Sequence, residues 1–463
     1  MSQGITDELR ILSPTGVMGS GFLESSFAEA LDREPHFIGC DAGSTDPGPA
    51  SLGAGTTAFP RASIKRDLAL MLIGARRLGV PLLIGSAGTA GGDAHLAHVR
   101  AIVEEIAGEE GLSFTLALIH AEQDKDYLKE KLRQGRVKPL DPAPEFDEAV
   151  IDRAERIVGM MGAEPFLAAL DAGAEVVLAG RASDTAIFAG IPVREGFDPG
   201  LSWHAAKLLE CGAACVQRRK TPDCIMAVLR QDHFDVMPLD PELRCTPQSV
   251  AAHSLYENAD PFLITESSGT LDMTSAQYAA IDDRSVRVTG SGFRPAPVYT
   301  VKLEGAEKVG YQSITIGSIR DPYMIRQIDD WTGRLHERVR DRVMNVLGGE
   351  LDEGDYRFDV RIYGKDGTMG GLEPVSEIRA HELCLVFEVT APSQEMANDI
   401  SAIVRHQALH LPIPEWSGLI TGVAFPYNPA HLERGLVYRF SVNHVVEPDD
   451  AHEMFPMEIV DVG

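Results

Sequence analysis

Six short apolar runs, separated by stretches of helical period, constrain this chain more than any other feature. They lie at residues 10–14 (RILSP), 36–40 (HFIGC), 80–84 (VPLLI), 114–119 (FTLALI), 174–178 (AEVVL) and 224–229 (CIMAVL). Several end in a turn rich in Gly or Asp. Between them the apolar residues return every three or four positions. Ser63 precedes a helix predicted over 64–78, with Ile64, Leu68, Met71, Leu72 and Ala75 on one stripe and Gly79 closing it. Asp93 opens a second, with Leu96, Val99, Ile102, Val103 and Ile106 on one face. Two more helices are predicted over 146–161 and 203–216. Apolar runs alternating with amphipathic helices indicate a mostly parallel sheet covered by helices on both faces.

The pattern changes after residue 283. Residues 285–292, 298–305 and 311–318 read as hairpin-like strands, and 322–347 as a long helix. Strands follow from 356 and 383, then a helix over 393–411 and two strand candidates at 418–426 and 436–445. The expected class is therefore α/β: a helix-covered domain over 1–283, then a smaller α+β domain over 284–463. Residues 232–283 carry no strong period and read as a link or an extension of the first domain.

At about 150 residues per domain, 463 residues suit two large domains. Lys plus Arg number 42 against 69 Asp plus Glu, a net charge of −27. That charge repels nucleic acid and anionic membranes at long range, so neither is an expected partner. No run of roughly 18 uncharged apolar residues is present to span a bilayer. The opening MSQGITDELR lacks an apolar segment, so a secretory signal is not expected. The six cysteines form no CxxC pair, which suits reduced thiols in a cytoplasm.

In a parallel sheet, ligands bind beyond the carboxyl ends of the strands, so the turns after each run are the candidate site. The second turn, GCDAGSTDPGP, holds Asp41, Ser44, Thr45 and Asp46. Its two carboxylates could share acid–base work or hold a divalent cation such as Mg²⁺; they could equally cap backbone N–H groups. The third turn carries Gly85, Ser86, Gly88, Thr89, Gly91 and Gly92 ahead of a helix N-terminus, a place for a carboxylate or phosphate, or simply a tight turn. Its spacing is neither the dinucleotide fingerprint nor a Walker loop. His120 ends the fourth run and could act as general acid. In the fifth turn Arg181 could clamp a carboxylate, with Ser183 beside it and Asp184 as base; an internal Arg181–Asp184 ion pair is the competing reading. His95 with His98, and His406 with His410, stand at metal-ligand spacing, yet Gln407 replaces the Glu of a zinc-protease helix. No metal ligand set is assigned. The absence of a GxSxG elbow argues against an α/β-hydrolase.

The segments GCDAGSTDPGP, IGSAGTAGGD, LAGRASDTAIFAG and GVAFPYNPAHLERGLVYRFSVNHVV together resemble the acyclic terpene utilisation (AtuA) family of bacterial proteins. The resemblance implies catabolism of branched or terpenoid acids as coenzyme A thioesters, and a small partner protein. It transfers no catalytic residue.

Three functions remain in view. The first is a lyase or hydratase acting on a small or branched carboxylic acid or its thioester. There Asp41, Asp46 or Asp184 is the base and His120 the acid, and Arg181 with the Gly85–Gly92 loop holds the anion. The second is a non-catalytic ligand-binding subunit working with a partner protein or, as expected here, a second copy of itself. The third is a thioester or amide hydrolase using Ser44, Ser86 or Ser183.

Overall fold

The computed structural model describes residues 7–415 and 422–463. All six apolar runs are strands. Five of them, β1 (Leu9–Ser13), β2 (Phe37–Asp41), β3 (Leu82–Gly85), β4 (Phe114–Ile119) and β5 (Val176–Ala179), pair in parallel in the order β1-β2-β3-β5-β4. Their side chains split between two buried layers. Leu9, Ile11, Phe37, Leu83, Ile119, Val177 and Ala179 face one core, and Leu12, Ile38, Ile84, Leu118, Val176 and Leu178 face the other. The Arg61–Leu78 and Asp93–Glu110 helices cover the second layer. The Glu164–Asp171, Ala186–Arg194 and Pro199–Leu209 helices cover the first. Burial on both faces explains why these strands read as continuous apolar runs.

The fold is mixed α/β, and its large sheet is mixed as well, which corrects the expected mostly parallel sheet. The sixth run, Ile225–Leu229, lies antiparallel to β1, and Met457–Val462 lies antiparallel to β4. Three further antiparallel strands extend the sheet beyond Ile225–Leu229: Phe234–Pro238, Val286–Thr289 and Gln277–Ala280. Two of these come from the stretch that carried no period. They are short strands whose pairing, rather than any local pattern, defines them.

Two other readings change. The helix predicted over 146–161 is a short helix, Glu148–Arg153, followed by a strand, Ala154–Met160. That strand pairs antiparallel with residues 302–307, and the tertiary pairing overrides local helix preference. The segments 298–305 and 311–318 are not a hairpin but parts of one strand, Val301–Ile319. Gly305 is pressed against Val442, where a Cβ would come within 2.5 Å of the valine.

The chain divides into two compact units, residues 1–307 with 440–463, and residues 308–439. In the second, the Ile328–Leu347 and Gln394–His410 helices pack on antiparallel strands through Trp331, Leu335, Val339, Ile400 and Val404 against Leu385, Phe387 and Val389. The long predicted helix breaks at Gln327. The strand candidate at 418–426 lies partly outside the described residues; within them, Ala424 forms a single bridge to Ser318. Among the described residues, no helix is long and apolar enough to cross a membrane.

Candidate functional site

The parallel register brings four of the predicted turns to one rim of the first unit. Asp41 stands opposite Gly85, and Ile119 opposite Ala179. Past the strand ends, the Ala42 N–H donates to the Gly85 carbonyl, the Ser86 N–H to Gly180, and the Gly180 N–H to Ile119. The strand-end loops at residues 41, 86, 120 and 181 therefore lie side by side.

Arg181 is the hub of what the rim assembles, and it is 3% exposed. Its Nε donates to Glu304 Oε2 at 2.9 Å. One terminal nitrogen donates to Ser86 Oγ at 3.1 Å, to the Ala182 carbonyl at 2.9 Å and to Asp184 Oδ1 at 3.4 Å. The Arg181–Asp184 pair of the competing reading is present, and Nε and one terminal nitrogen are taken up by protein partners. Glu304 also meets Lys302 at 2.9 Å. Burial alone would raise the Glu304 carboxyl, but the charges and hydrogen bonds of Arg181 and Lys302 hold it down at about 2.

Around this pair stands a second set of acids with the opposite tendency. Burial pushes Asp41 well above the usual carboxylate range, and the nearby Asp184 charge adds to the shift. Asp41 Oδ2 accepts the Gly43 N–H at 3.1 Å, while Oδ1 is buried without a hydrogen-bond partner. Asp184 is raised by burial despite the attraction of Arg181. Glu210 is raised by burial to about 8 although Lys207 sits 2.5 Å away, and Glu266 is raised by burial to about 7. Glu266 accepts hydrogen bonds from Ser183 Oγ at 2.7 Å and from Thr185 Oγ1. These carboxyls, Asp41 and Glu210 buried and Asp184 and Glu266 half-buried, thus hold their protons to higher pH than free acids do, the condition general acid–base catalysis requires.

Next to the cluster opens a cavity of about 390 Å³. Thr45, Asp46, Lys302 and Glu304 supply its polar wall, and Pro142, Pro144, Phe440 and Val442 its apolar one. Lys302 gives this cavity a cation, and Glu304 links it to Arg181. Of the β2-loop residues, Asp41 and Thr45 are buried, Ser44 is half-buried and Asp46 is exposed. Ser44 Oγ accepts the Asp46 N–H at 3.2 Å, so of the two aspartates only Asp41, on the Gly43 N–H, shows the carboxylate capping that the sequence allowed.

The glycine loop serves the protein's own packing. A Cβ on Gly85 would come within 2.4 Å of Ile187, on Gly88 within 2.8 Å of His95, and on Gly91 within 2.1 Å of the Arg181 nitrogen. On Gly92 a Cβ would come within 3.0 Å of the Glu122 carboxylate. A side chain at any of these four positions would meet protein atoms, which is a packing reason for glycine there. Ser86 and Thr89 both hold positive φ, 50° and 88°, a conformation costly for residues with a Cβ. Ser86 is kept there by Arg181, and Thr89 Oγ1 accepts the Ala58 N–H at 2.9 Å.

His120 reaches the rim, and its ring contacts lie outside the cluster. Its Nδ1 is 2.8 Å from Asp93 Oδ1, and its Nε2 is 3.6 Å from Glu458. The predicted set thus divides: Asp41, Ser86, Arg181, Ser183 and Asp184 form the cluster, Thr45 and Asp46 line the cavity, and His120 is apart. Among the described residues no group of three or more His, Cys, Asp or Glu has a geometry that could hold a metal ion. His95 instead places Nε2 3.0 Å from the Ser51 carbonyl.

Sequence reasoning missed Lys207, Glu210, Glu266, Lys302 and Glu304. Lys207 and Glu210 did leave a signal: they are charges three apart on an otherwise apolar helix, where a buried ion pair is the economical reading. Glu266 sits in a short hairpin and left none.

The family model for "Acyclic terpene utilisation family protein AtuA" matches residues 81–217 and 240–441. The chain belongs to that family. The match contains the glycine loop, Arg181, Asp184, Lys207, Glu210, Glu266, Lys302 and Glu304; Asp41, Ser44, Thr45 and Asp46 fall outside it. Neither a search of curated proteins nor one of solved structures finds a match.

Proposed function

We propose that this AtuA-family chain is an enzyme that moves a proton next to the carbonyl of a small or branched carboxylic acid or its coenzyme A thioester, a lyase- or hydratase-type step. The observation that carries this is Asp41: a buried carboxyl with one oxygen unpartnered, beside the Arg181–Asp184–Glu304 network at a strand-end rim. An unpaired buried polar atom is costly unless a ligand or water completes it. In this reading Lys302 attracts the substrate carboxylate into the 390 Å³ cavity, where Pro142, Pro144, Phe440 and Val442 shelter its alkyl part. Arg181 acts as a positioning residue, fixing Asp184 and Glu304. Asp41 and Asp184, both raised by burial, take and return the proton. The family's name supports acids derived from acyclic terpenes as the substrate class.

The test is solvent-deuterium incorporation next to the carbonyl, followed by proton NMR across a panel of branched acids, 3-hydroxy acids and their thioesters. Wild type should exchange or hydrate at least one, and Asp41→Asn and Asp184→Asn should each lose about 10²–10⁴ in rate, the usual share of general acid–base catalysis. Wild-type rates in both variants would remove the proposal.

The hydrogen bond from Ser183 Oγ to Glu266 favours a second reading, thioester hydrolysis with Ser183 as nucleophile and Glu266 as its base. A fluorophosphonate adduct on Ser183, absent in Glu266→Gln, would select it over the first.

A further inference from the structure

The first unit holds a second and larger pocket, of about 570 Å³, that shares no lining residue with the cavity described above. Its volume is within the range of small-molecule sites, about 300–1,000 Å³. It is built on the three-stranded sheet formed by Leu263–Glu266, Gly269–Asp272 and Gly292–Pro295, and on the segment that follows. Leu263, Pro295, Ala296, Pro297 and Val298 give it an apolar wall on a stiff backbone. Val298 leaves 51% of its surface uncovered, apolar area that the hydrocarbon part of a ligand would remove from water.

The charges lining this pocket are unequal in availability. Asp260 is used locally, accepting the Phe262 N–H at 2.9 Å. Glu266 is held by the hydroxyls of Ser183 and Thr185. Arg294 is the one cation among the described lining residues; it stands 63% exposed, with only a loose contact to Asp272 at 3.5 Å. A loosely held guanidinium beside an apolar wall fits a ligand with one anionic end and a hydrocarbon body. We infer that this pocket binds a medium-chain aliphatic carboxylate, its tail along Leu263, Pro297 and Val298 and its carboxylate on Arg294.

The inference does not rest on the proposed reaction. It adds one consequence: Glu266 lines this pocket and also touches the Ser183–Thr185 loop around Asp184, so occupancy here bears on the acid cluster through that residue.

The experiment is calorimetric titration of the full chain with octanoate, octan-1-ol and acetate. Wild type should bind octanoate well and acetate not at all. Val298→Asp, an exposed position where folding is not at stake, should weaken octanoate at least tenfold. Arg294→Gln should weaken octanoate about fivefold and leave octan-1-ol unchanged. In a Lys302→Gln background, where the other cavity has lost its cation, Arg294→Gln should still weaken octanoate about fivefold. Octanoate affinity unchanged in both Val298→Asp and Arg294→Gln would overturn the assignment. So would loss in Lys302→Gln alone, which would place the ligand in the other cavity. No octanoate binding by wild type at concentrations up to about 1 mM, the weak limit of specific recognition, would overturn it as well. Failure of the deuterium-exchange test would leave these binding results standing, so the two proposals fail separately.

Discussion

Replacing Arg181 with Met leaves a buried carboxylate at Glu304 with Lys302 as its remaining cation. The magnitude follows from the carboxyl itself. Its ordinary value of 4.5 falls to about 2 in the folded chain. At about 1.4 kcal/mol per unit, a drop of that size is worth on the order of 3 kcal/mol. Breaking a buried ion pair by removing one partner costs about 3–5 kcal/mol in general, which agrees. The Glu304 value is depressed, so the pair's contribution is fully present above pH 4.5 and is lost as pH falls toward 2. The difference between wild type and Arg181→Met should therefore be largest near pH 7 and narrow as the medium is acidified. Urea unfolding at pH 7 and pH 4 of wild type, Arg181→Met, Glu304→Gln and the double variant completes a cycle. Glu304→Gln should restore much of the stability lost in Arg181→Met, because the stranded charge is gone. A loss below about 1 kcal/mol in Arg181→Met, or the same loss with Glu304 already neutral, would refute the account of this network.

Three other outcomes follow from the same geometry. Glu266 titrates at about 7 rather than 4.5, so the folded chain holds its proton longer, and stability should fall as pH rises from about 4.5 to 7; urea midpoints for Glu266→Gln should show a shallower fall than wild type over that window. Gly91→Ala forces a Cβ within 2.1 Å of the Arg181 nitrogen at φ +66°; the left-handed backbone alone costs about 1–2 kcal/mol, the collision adds to it, and thermal unfolding should show a lower midpoint. His120→Ala removes a partly exposed contact with Asp93, so it should change stability by no more than about 1 kcal/mol and leave deuterium exchange near wild type; a hundredfold loss of exchange would return His120 to the mechanism.

The five parallel strands and their rim were readable in one dimension because burial on both faces demands continuous apolar strands, and parallel pairing demands helical crossovers between them. The convergence of the loops at 41, 86, 120 and 181 then follows from strand direction alone. Where pairing partners lie far apart in sequence, the local pattern misled. Ala154–Met160 continued a helical stretch until residues 302–307 claimed it as a strand. The glycines at 85, 88 and 91 also answer a packing need that one dimension hides: a Cβ there would collide with Ile187, His95 and the Arg181 backbone.

Residue types and their spacing determined which side chains stand at the strand ends, since a strand's direction and length place the residues that follow it. Tertiary structure decided which of those side chains face each other and in what state of charge. Glu304 comes from a strand 123 residues beyond Arg181, and Glu266 from a hairpin 83 beyond Ser183. Charge–charge attraction and desolvation both depend on distance and burial, and neither quantity exists until the chain has closed those loops.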